Sequence, residues 1–225
     1  MSDAAITSSY TAIADGAALV GSPATRNTGT IGGNVMNGSP AMDTGAPLAV
    51  LDAQVELQSV SGTRLVPVLE LWVGPGATSA TSDELCTAVV LPSRPERSGS
   101  AYVRLEYRRA MEIAVVGAAA SIALNADGTI AELSVALTAV APTITAVTTV
   151  DQLVGRTVDD ETLGQVAELA SSQSTPISDL RAGDAYRRHT VGVMAKRAVE
   201  AAARRANGEE LAVPVNRAIG IGADK

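Results

Sequence analysis

The segment with the clearest potential for chemistry is a short run of glycine, threonine and asparagine, which reads Thr30-Ile31-Gly32-Gly33-Asn34. Glycine has no side chain, so Gly32 and Gly33 let backbone N–H groups approach a ligand closely. Several such donors aimed at one point bind the paired phosphates of a dinucleotide. In isolation, a run of this composition favours an ordinary turn by about three to one. The segment therefore predicts a loop, and its role as a phosphate site depends on the wider pattern.

Other residues capable of chemistry have plainer interpretations. His189 is the only histidine and lies in a basic run, where a lone histidine is more often solvated than a base or a ligand. Asp159, Asp160 and Glu161 open a predicted helix, where acidic side chains favour the positive end. Cys86 is the only cysteine, which excludes an internal disulfide and any iron–sulfur or thiolate zinc site on this chain. We assign none of these residues a catalytic role.

A basic stretch near the end of the sequence favours a solvated helix face or a docking surface for an acidic partner. It comprises Arg181, Arg187, Arg188, Lys196, Arg197, Arg204 and Arg205.

Helices and turns must position the Thr30–Asn34 segment. One helix is expected from Ser8 to Val20, followed by a loop from Arg26 to Asn34. A short helix is expected through Leu48–Leu51, beginning at Ser39 or capped by Asp43. The pattern after it predicts strands, in which β-branched and aliphatic runs are bounded by turn residues. These are a hairpin of Val55–Val60 with Arg64–Val68, and a strand over Leu85–Leu91.

A second folding unit is expected after a polar linker, which covers Ser93 to Ser100. Its strands are predicted at Tyr102–Tyr107, Ala114–Leu124 and Ile130–Val140, and an antiparallel sheet is favoured. Apolar residues then recur at three- and four-residue steps, which indicates helices. The two helices are predicted over Asp159–Ser171 and Asp184–Ala206.

Composition limits the class of protein. The chain has 225 residues, of which 46% are hydrophobic and 2% aromatic, so a sizeable core must be built from small aliphatic side chains. A net charge of -7 opposes nucleic-acid binding, which needs clustered basic residues. The most apolar stretch, Ile113–Leu124, is too short to span a bilayer. Met1–Tyr10 lacks the pattern of a secretory signal, so a cytoplasmic location is expected.

An ordered series of motifs resembles the flavin-binding medium subunits of carbon monoxide dehydrogenase and the bacterial xanthine dehydrogenases. The resemblance covers most of the chain and rests on the order and spacing of its motifs rather than on any single one. The motifs are Arg26–Asp43, Gly74-Pro75-Gly76, Asp83-Glu84-Leu85, Tyr107-Arg108-Arg109, Ile113–Val116, Asp127-Gly128, Ala141-Pro142-Thr143, Ser178-Asp179 and Ala185–Arg188.

The resemblance implies an α+β fold in two units, with a cleft between them that faces the flavin ring. Residues 1–93 would form the second half of a two-part, PCMH-type FAD-binding domain. Residues 101–206 would form a domain like the C-terminal domain of the carbon monoxide dehydrogenase flavoprotein, an antiparallel sheet with helices, and residues 207–225 a tail.

The resemblance also implies the cofactor, FAD, and the residues that hold it. The diphosphate would be wrapped by Thr30, Ile31, Gly32, Gly33 and Asn34, and the flavin nucleotide would also contact Asp43. Arg104 is either a cation that stabilises the reduced flavin or an ordinary surface residue of a strand. Trp72 is expected to be a packing anchor, with a place beside the flavin as the alternative.

The implied function is electron transfer within a hetero-oligomer. Electrons would pass from iron–sulfur clusters on a small subunit through FAD to NAD or a quinone-type acceptor, while a large subunit carries the molybdopterin. Two alternatives stay open: an assembly module of the same complex that no longer binds FAD tightly, and a flavin oxidoreductase of the same fold that works without molybdenum.

One departure bears on these alternatives. Family members open with a further flavin-binding half containing an Ala-Gly-Gly motif, and the present sequence is expected to start where the second half starts. Either the reading frame was begun late, or another chain supplies that half, or tight flavin binding has been lost.

Overall fold

Short helices dominate the start of the chain in the computed structural model, which describes residues 3–217. The helices are α1 (Ala4–Ser9), α2 (Thr11–Leu19), α3 (Pro23–Thr28), α4 (Ile31–Met36) and α5 (Gly45–Val50). Small residues allow them to pack closely, since a Cβ added at Gly16 of α2 would lie 2.4 Å from the carbonyl oxygen of Asp43. Of the predicted tail, residues 218–225 lie outside the described part.

A small antiparallel sheet completes the first unit. Its strands are β1 (Gln54–Ser59), β2 (Gly62–Pro67) and β5 (Leu85–Val90), in the order β2-β1-β5. Between β2 and β5 lie α6 (Val68–Leu71) and the paired strands β3 (Trp72–Gly74) and β4 (Ala77–Thr78). The predicted hairpin and the strand at Leu85–Leu91 are thus confirmed to within one or two residues.

The second unit is an antiparallel sheet with two long helices, as predicted. Its strands β6 (Ser98–Leu105), β7 (Val116–Leu124), β8 (Ile130–Thr138) and β9 (Thr145–Ala146) are neighbours in chain order. A 3₁₀ turn at Val150–Leu153 leads to α7 (Asp160–Ser172) and α8 (Asp184–Ala206), and a second 3₁₀ turn lies at Val215–Arg217. The bounds of α8 are those predicted.

The β6–β9 sheet is buried on both faces. On one face, Ala101 and Val103 of β6 pack in a core with α7 and α8. On the other face, Tyr102 and Ala119 pack in a core with helices α2 and α5 of the first unit. Because side chains alternate along a strand, the two faces of one sheet pack in two different cores. Every residue of β7 is accordingly buried. The two units are therefore joined through a shared sheet.

Three predicted elements outside the Arg26–Asn34 segment need correction, and that segment contains the end of α3 and the start of α4 instead of a continuous loop. The helix expected over Ser8–Val20 is broken at Tyr10, whose hydroxyl donates to the carbonyl of Pro92 at 3.0 Å. The helix expected from Ser39 or Asp43 begins at Gly45, because the Asp43 carboxylate accepts hydrogen bonds from Tyr102 and Arg104 instead of capping the helix.

The third correction concerns the linker. Strand β6 already begins at Ser98, inside the linker expected up to Ser100. A Cβ at Gly99 would lie 2.2 Å from the carbonyl oxygen of Ala202. The absence of a side chain at Gly99 therefore lets β6 pass directly against α8, a tertiary contact that composition does not reveal.

Candidate functional site

A cavity of about 650 Å³ lies among the short helices of the first unit. Its wall is largely apolar on the side of α1 and α2 and polar on the side of α3 and α4. The lining residues include Ile6, Ile13, Ala14, Ala17, Val20, Thr25, Arg26, Gly29, Thr30, Ile31, Gly33, Asn34, Asn37 and Thr44. Where the sequence suggested a site in a cleft between the two units, the structure packs the units together and places this cavity within the first.

The segment Thr30–Asn34 is a capped helix start rather than the predicted loop. Thr30 is the N-cap of α4, and its Oγ1 accepts a hydrogen bond from the N–H of Gly33 at 3.0 Å. The N–H of Asn34 donates to the Thr30 carbonyl at 3.1 Å. The N–H groups of Ile31 and Gly32 belong to the first turn, where a helix offers no internal acceptor. The N–H groups of Thr30, Ile31 and Gly32 therefore lack an acceptor within the helix.

Four of the five predicted residues of this segment line the cavity. They are Thr30, Ile31, Gly33 and Asn34. Gly32 faces the other way, since a Cβ at Gly32 would lie 3.4 Å from Cys86 Sγ. Burial raises the pKa of the Cys86 thiol, which keeps this cysteine in its neutral form behind the helix.

Two side chains outside α4 hold it in place. The indole Nε1 of Trp72 donates to the carbonyl of Val35 at 3.0 Å, and both residues are buried. Thr44 donates to Asn34 Oδ1 at 2.6 Å from the start of α5. The interpretation of Trp72 as a packing anchor is confirmed, and its anchoring effect acts on the helix that lines the cavity.

Asp43 and Arg104 form a buried ion pair and are not among the residues named above as lining the cavity. Arg104 Nη1 donates to Asp43 Oδ2 at 2.6 Å, and Arg104 Nε donates to Glu106 Oε2 at 2.7 Å. The Tyr102 hydroxyl donates to Asp43 Oδ1 at 3.0 Å. Arg104 is 0% exposed, so its interpretation as a surface residue is wrong.

Burial dominates the electrostatics of this cluster. It raises the pKa of Asp43, which the adjacent Arg104 opposes, and it raises the pKa of Tyr102 well above the usual value. The Asp43–Arg104 pair therefore depends on mutual neutralisation rather than on solvent.

A second buried ion pair escaped sequence reasoning. Asp15, on α2, accepts hydrogen bonds from Arg205 Nη1 at 2.6 Å, from Tyr102 N at 3.1 Å and from Val215 N at 2.9 Å. Its sequence signal was a single carboxylate within a helix of small apolar residues. Arg205 and Arg187 are largely buried, so the expected solvated basic face is wrong for these two arginines.

Comparison with known proteins gives the family. Residues 1–94 match the FAD binding domain in molybdopterin dehydrogenase, and residues 101–202 match the CO dehydrogenase flavoprotein C-terminal domain. The chain is 32% identical over 200 residues to the putative xanthine dehydrogenase FAD-binding subunit of Escherichia coli K12, covering 88% of this chain and 68% of that protein. The chain belongs to this family of flavoprotein subunits.

Other members of the family agree in sequence and in fold. The carbon monoxide dehydrogenase medium chain of Afipia carboxidovorans is 36% identical over 189 residues, which is 84% of this chain and 65% of that one. A solved carbon monoxide dehydrogenase from Hydrogenophaga pseudoflava superimposes with a TM-score of 0.86 at 29% identity, covering 91% of this chain and 71% of the other. The chain thus spans about two thirds of the length of the family members it matches.

Two further observations apply to the described residues. None of the helices within residues 3–217 combines the length and the apolar character needed to cross a bilayer. Across the same residues, His, Cys, Asp and Glu side chains do not gather in groups of three or more suited to a metal ion.

Proposed function

We propose that this chain binds FAD in the cavity of the first unit and carries electrons as the flavin subunit of a molybdopterin dehydrogenase. The observation that carries the proposal is that the Thr30–Asn34 segment, within the part matched by the FAD-binding domain, lines a cavity of about 650 Å³. When bound, FAD supplies the redox chemistry, and the protein supplies binding and orientation.

The chemistry of the cavity wall fits such a group. Apolar side chains of α1 and α2 suit a flat ring system, as is usual for cofactor sites. On the opposite side, the N–H groups of Thr30 and Ile31 lie at the start of α4, where the helix supplies no acceptor, and are available to an anionic linker. Gly33 and Asn34 complete the wall, and the Thr30 hydroxyl fixes the start of the helix.

For Asp43 and Arg104, direct contact with the flavin stays a prediction. Their placement supports an indirect role as well. Asp43 is held by Arg104 and Tyr102 immediately before Thr44, whose hydroxyl bonds Asn34 in the cavity wall. We expect the buried pair to fix the position of Thr44 and, through it, the orientation of α4.

The partners follow from the family. A large molybdopterin subunit and a small iron–sulfur subunit would complete a hetero-oligomer, with electrons leaving FAD for NAD or a quinone-type acceptor. A cytoplasmic location is part of the same proposal. The second candidate is an assembly module of the same complex that does not bind FAD tightly.

Titration of the purified full chain with FAD tests the proposal. We expect saturable quenching of flavin fluorescence and a rise in the thermal unfolding midpoint, because a ligand that binds the folded state stabilises it. The same titration is then repeated after coexpression with the large and small subunits. If both preparations are colourless and FAD leaves their unfolding unchanged, the flavin function fails and the assembly module is favoured.

A further inference from the structure

Arg26 occupies an unusual electrostatic position in the cavity wall. Among the described residues that line the cavity, it carries the single formal charge. Its Nη1 donates to the Val20 carbonyl at 2.7 Å, which fixes the side chain against the end of α2. Within residues 3–217 no carboxylate forms an ion pair or hydrogen bond with it. The guanidinium is therefore a positioned cation to which the described residues supply no counter-charge.

Three buried arginines elsewhere in the described residues differ from Arg26, because each forms an ion pair with a carboxylate. Arg104 faces Asp43, Arg187 faces Asp179 and Arg205 faces Asp15, each with a nitrogen–oxygen distance of 2.6 to 2.7 Å. Taking a charge partly out of water without a partner is unfavourable. A half-buried arginine that lacks a carboxylate and lines a cavity is thus best explained by an anion that binds there.

We propose that Arg26 binds the diphosphate of the dinucleotide and thereby selects FAD over flavins that lack phosphate. The inference rests on the proposed FAD function. A guanidinium has five N–H donors in a rigid plane, and the bond to Val20 uses one nitrogen. The remaining donors match phosphate oxygens, and charge-assisted bonds of this kind are about twice as strong as neutral ones.

The test compares FAD with riboflavin, which has the same ring and no phosphate. Dissociation constants are measured by flavin fluorescence for the wild-type chain, Arg26→Gln and Arg26→Lys. We expect Arg26→Gln to weaken FAD about tenfold or more, while riboflavin changes less than about twofold. Arg26→Lys keeps the charge and should recover part of the loss. The matched control is Arg156→Gln, an exposed arginine of the second unit that should leave both constants unchanged.

Thermal unfolding with inorganic pyrophosphate provides a second measurement that does not need the flavin ring. Pyrophosphate should raise the midpoint of the wild-type chain more than that of Arg26→Gln. Equal losses for FAD and riboflavin, or equal pyrophosphate shifts in both proteins, would overturn the role of Arg26 and leave FAD binding intact. A wild-type chain that binds neither flavin overturns the FAD proposal, and with it the role of Arg26 toward FAD.

Discussion

At the scale of single residues, Asp43 and Arg104 form a buried ion pair with a nitrogen–oxygen distance of 2.6 Å. Asp43 and Arg104 were singled out by their place in the motif series, yet nothing in the sequence shows that they are buried against each other. Their distance along the chain is bridged only when α5 packs on the sheet that contains β6. Arg26 was likewise part of the recognised motif, but its lack of a carboxylate is a property of the folded chain.

The Asp43–Arg104 pair allows a quantitative prediction. Asp43→Ala should lower the free energy of unfolding by about 3 kcal/mol, because it leaves the Arg104 guanidinium buried without this partner. Combining it with Arg104→Met should cost at least about 1 kcal/mol less than the sum of the single changes. Urea denaturation of the four proteins measures this coupling.

The surface pair Arg156–Glu161 is the matched control, since both side chains are exposed and such pairs couple weakly. Strict additivity for Asp43 and Arg104 would show that the buried contact does not stabilise the fold. The Asp43–Arg104 contact would then not fix the position of Thr44, and it would not support α4 through that residue.

At the scale of elements, length and periodicity decided what was predictable. In the 23 residues of α8, apolar residues recur at helical spacing over several turns, so the sequence pattern alone predicts the bounds of this helix. Helix α4 has six residues, two of them glycine, each costing about 1 kcal/mol relative to alanine in a helix interior. It forms because Thr30 caps it and Trp72 holds its end. Tertiary contacts of this kind explain why the sequence predicted a loop.

The cap of α4 should therefore control both stability and the site. Thr30→Val preserves the shape of the side chain but removes the acceptor for the Gly33 N–H. We expect a loss of about 1 kcal/mol in unfolding free energy and weaker FAD binding. Thr30→Ser retains the hydroxyl and should stay close to the wild type in both. Urea denaturation and FAD titration measure the two effects, and equal behaviour of Val and Ser would argue against the cap.

At the scale of the whole molecule, the decisive feature is the sheet that serves two cores. A continuous apolar run such as β7 predicts burial but not which elements cover each face. The contacts of residues 207–217 were equally unpredictable, because the resemblance implied only a tail over 207–225. In the structure, Val215 bonds Asp15 on α2, and the Asn216 side chain bonds both the N–H and the carbonyl of Arg104 on β6.

Asn216 should consequently affect the stability of both units at once. Its amide pairs with β6 as a neighbouring strand would, at 3.2 Å to the Arg104 N–H and 2.9 Å to the Arg104 carbonyl. Asn216→Ala leaves these two buried groups unpaired, at a cost of about 1 to 3 kcal/mol for each. Trp72 fluorescence reports the first unit, since it is the only tryptophan, and helical circular dichroism reports both units, since each contains helices.

Because the units share the β6–β9 sheet, both signals should fall at one urea concentration in the wild type, and at one lower concentration in Asn216→Ala. Asn207→Ala, an exposed position at the end of α8, is the control and should shift the midpoint far less. Separate transitions for the two signals in the wild type would mean that the units fold independently. In that case the hydrogen bond from Val215 to Asp15 on α2 would not couple the stability of the two units.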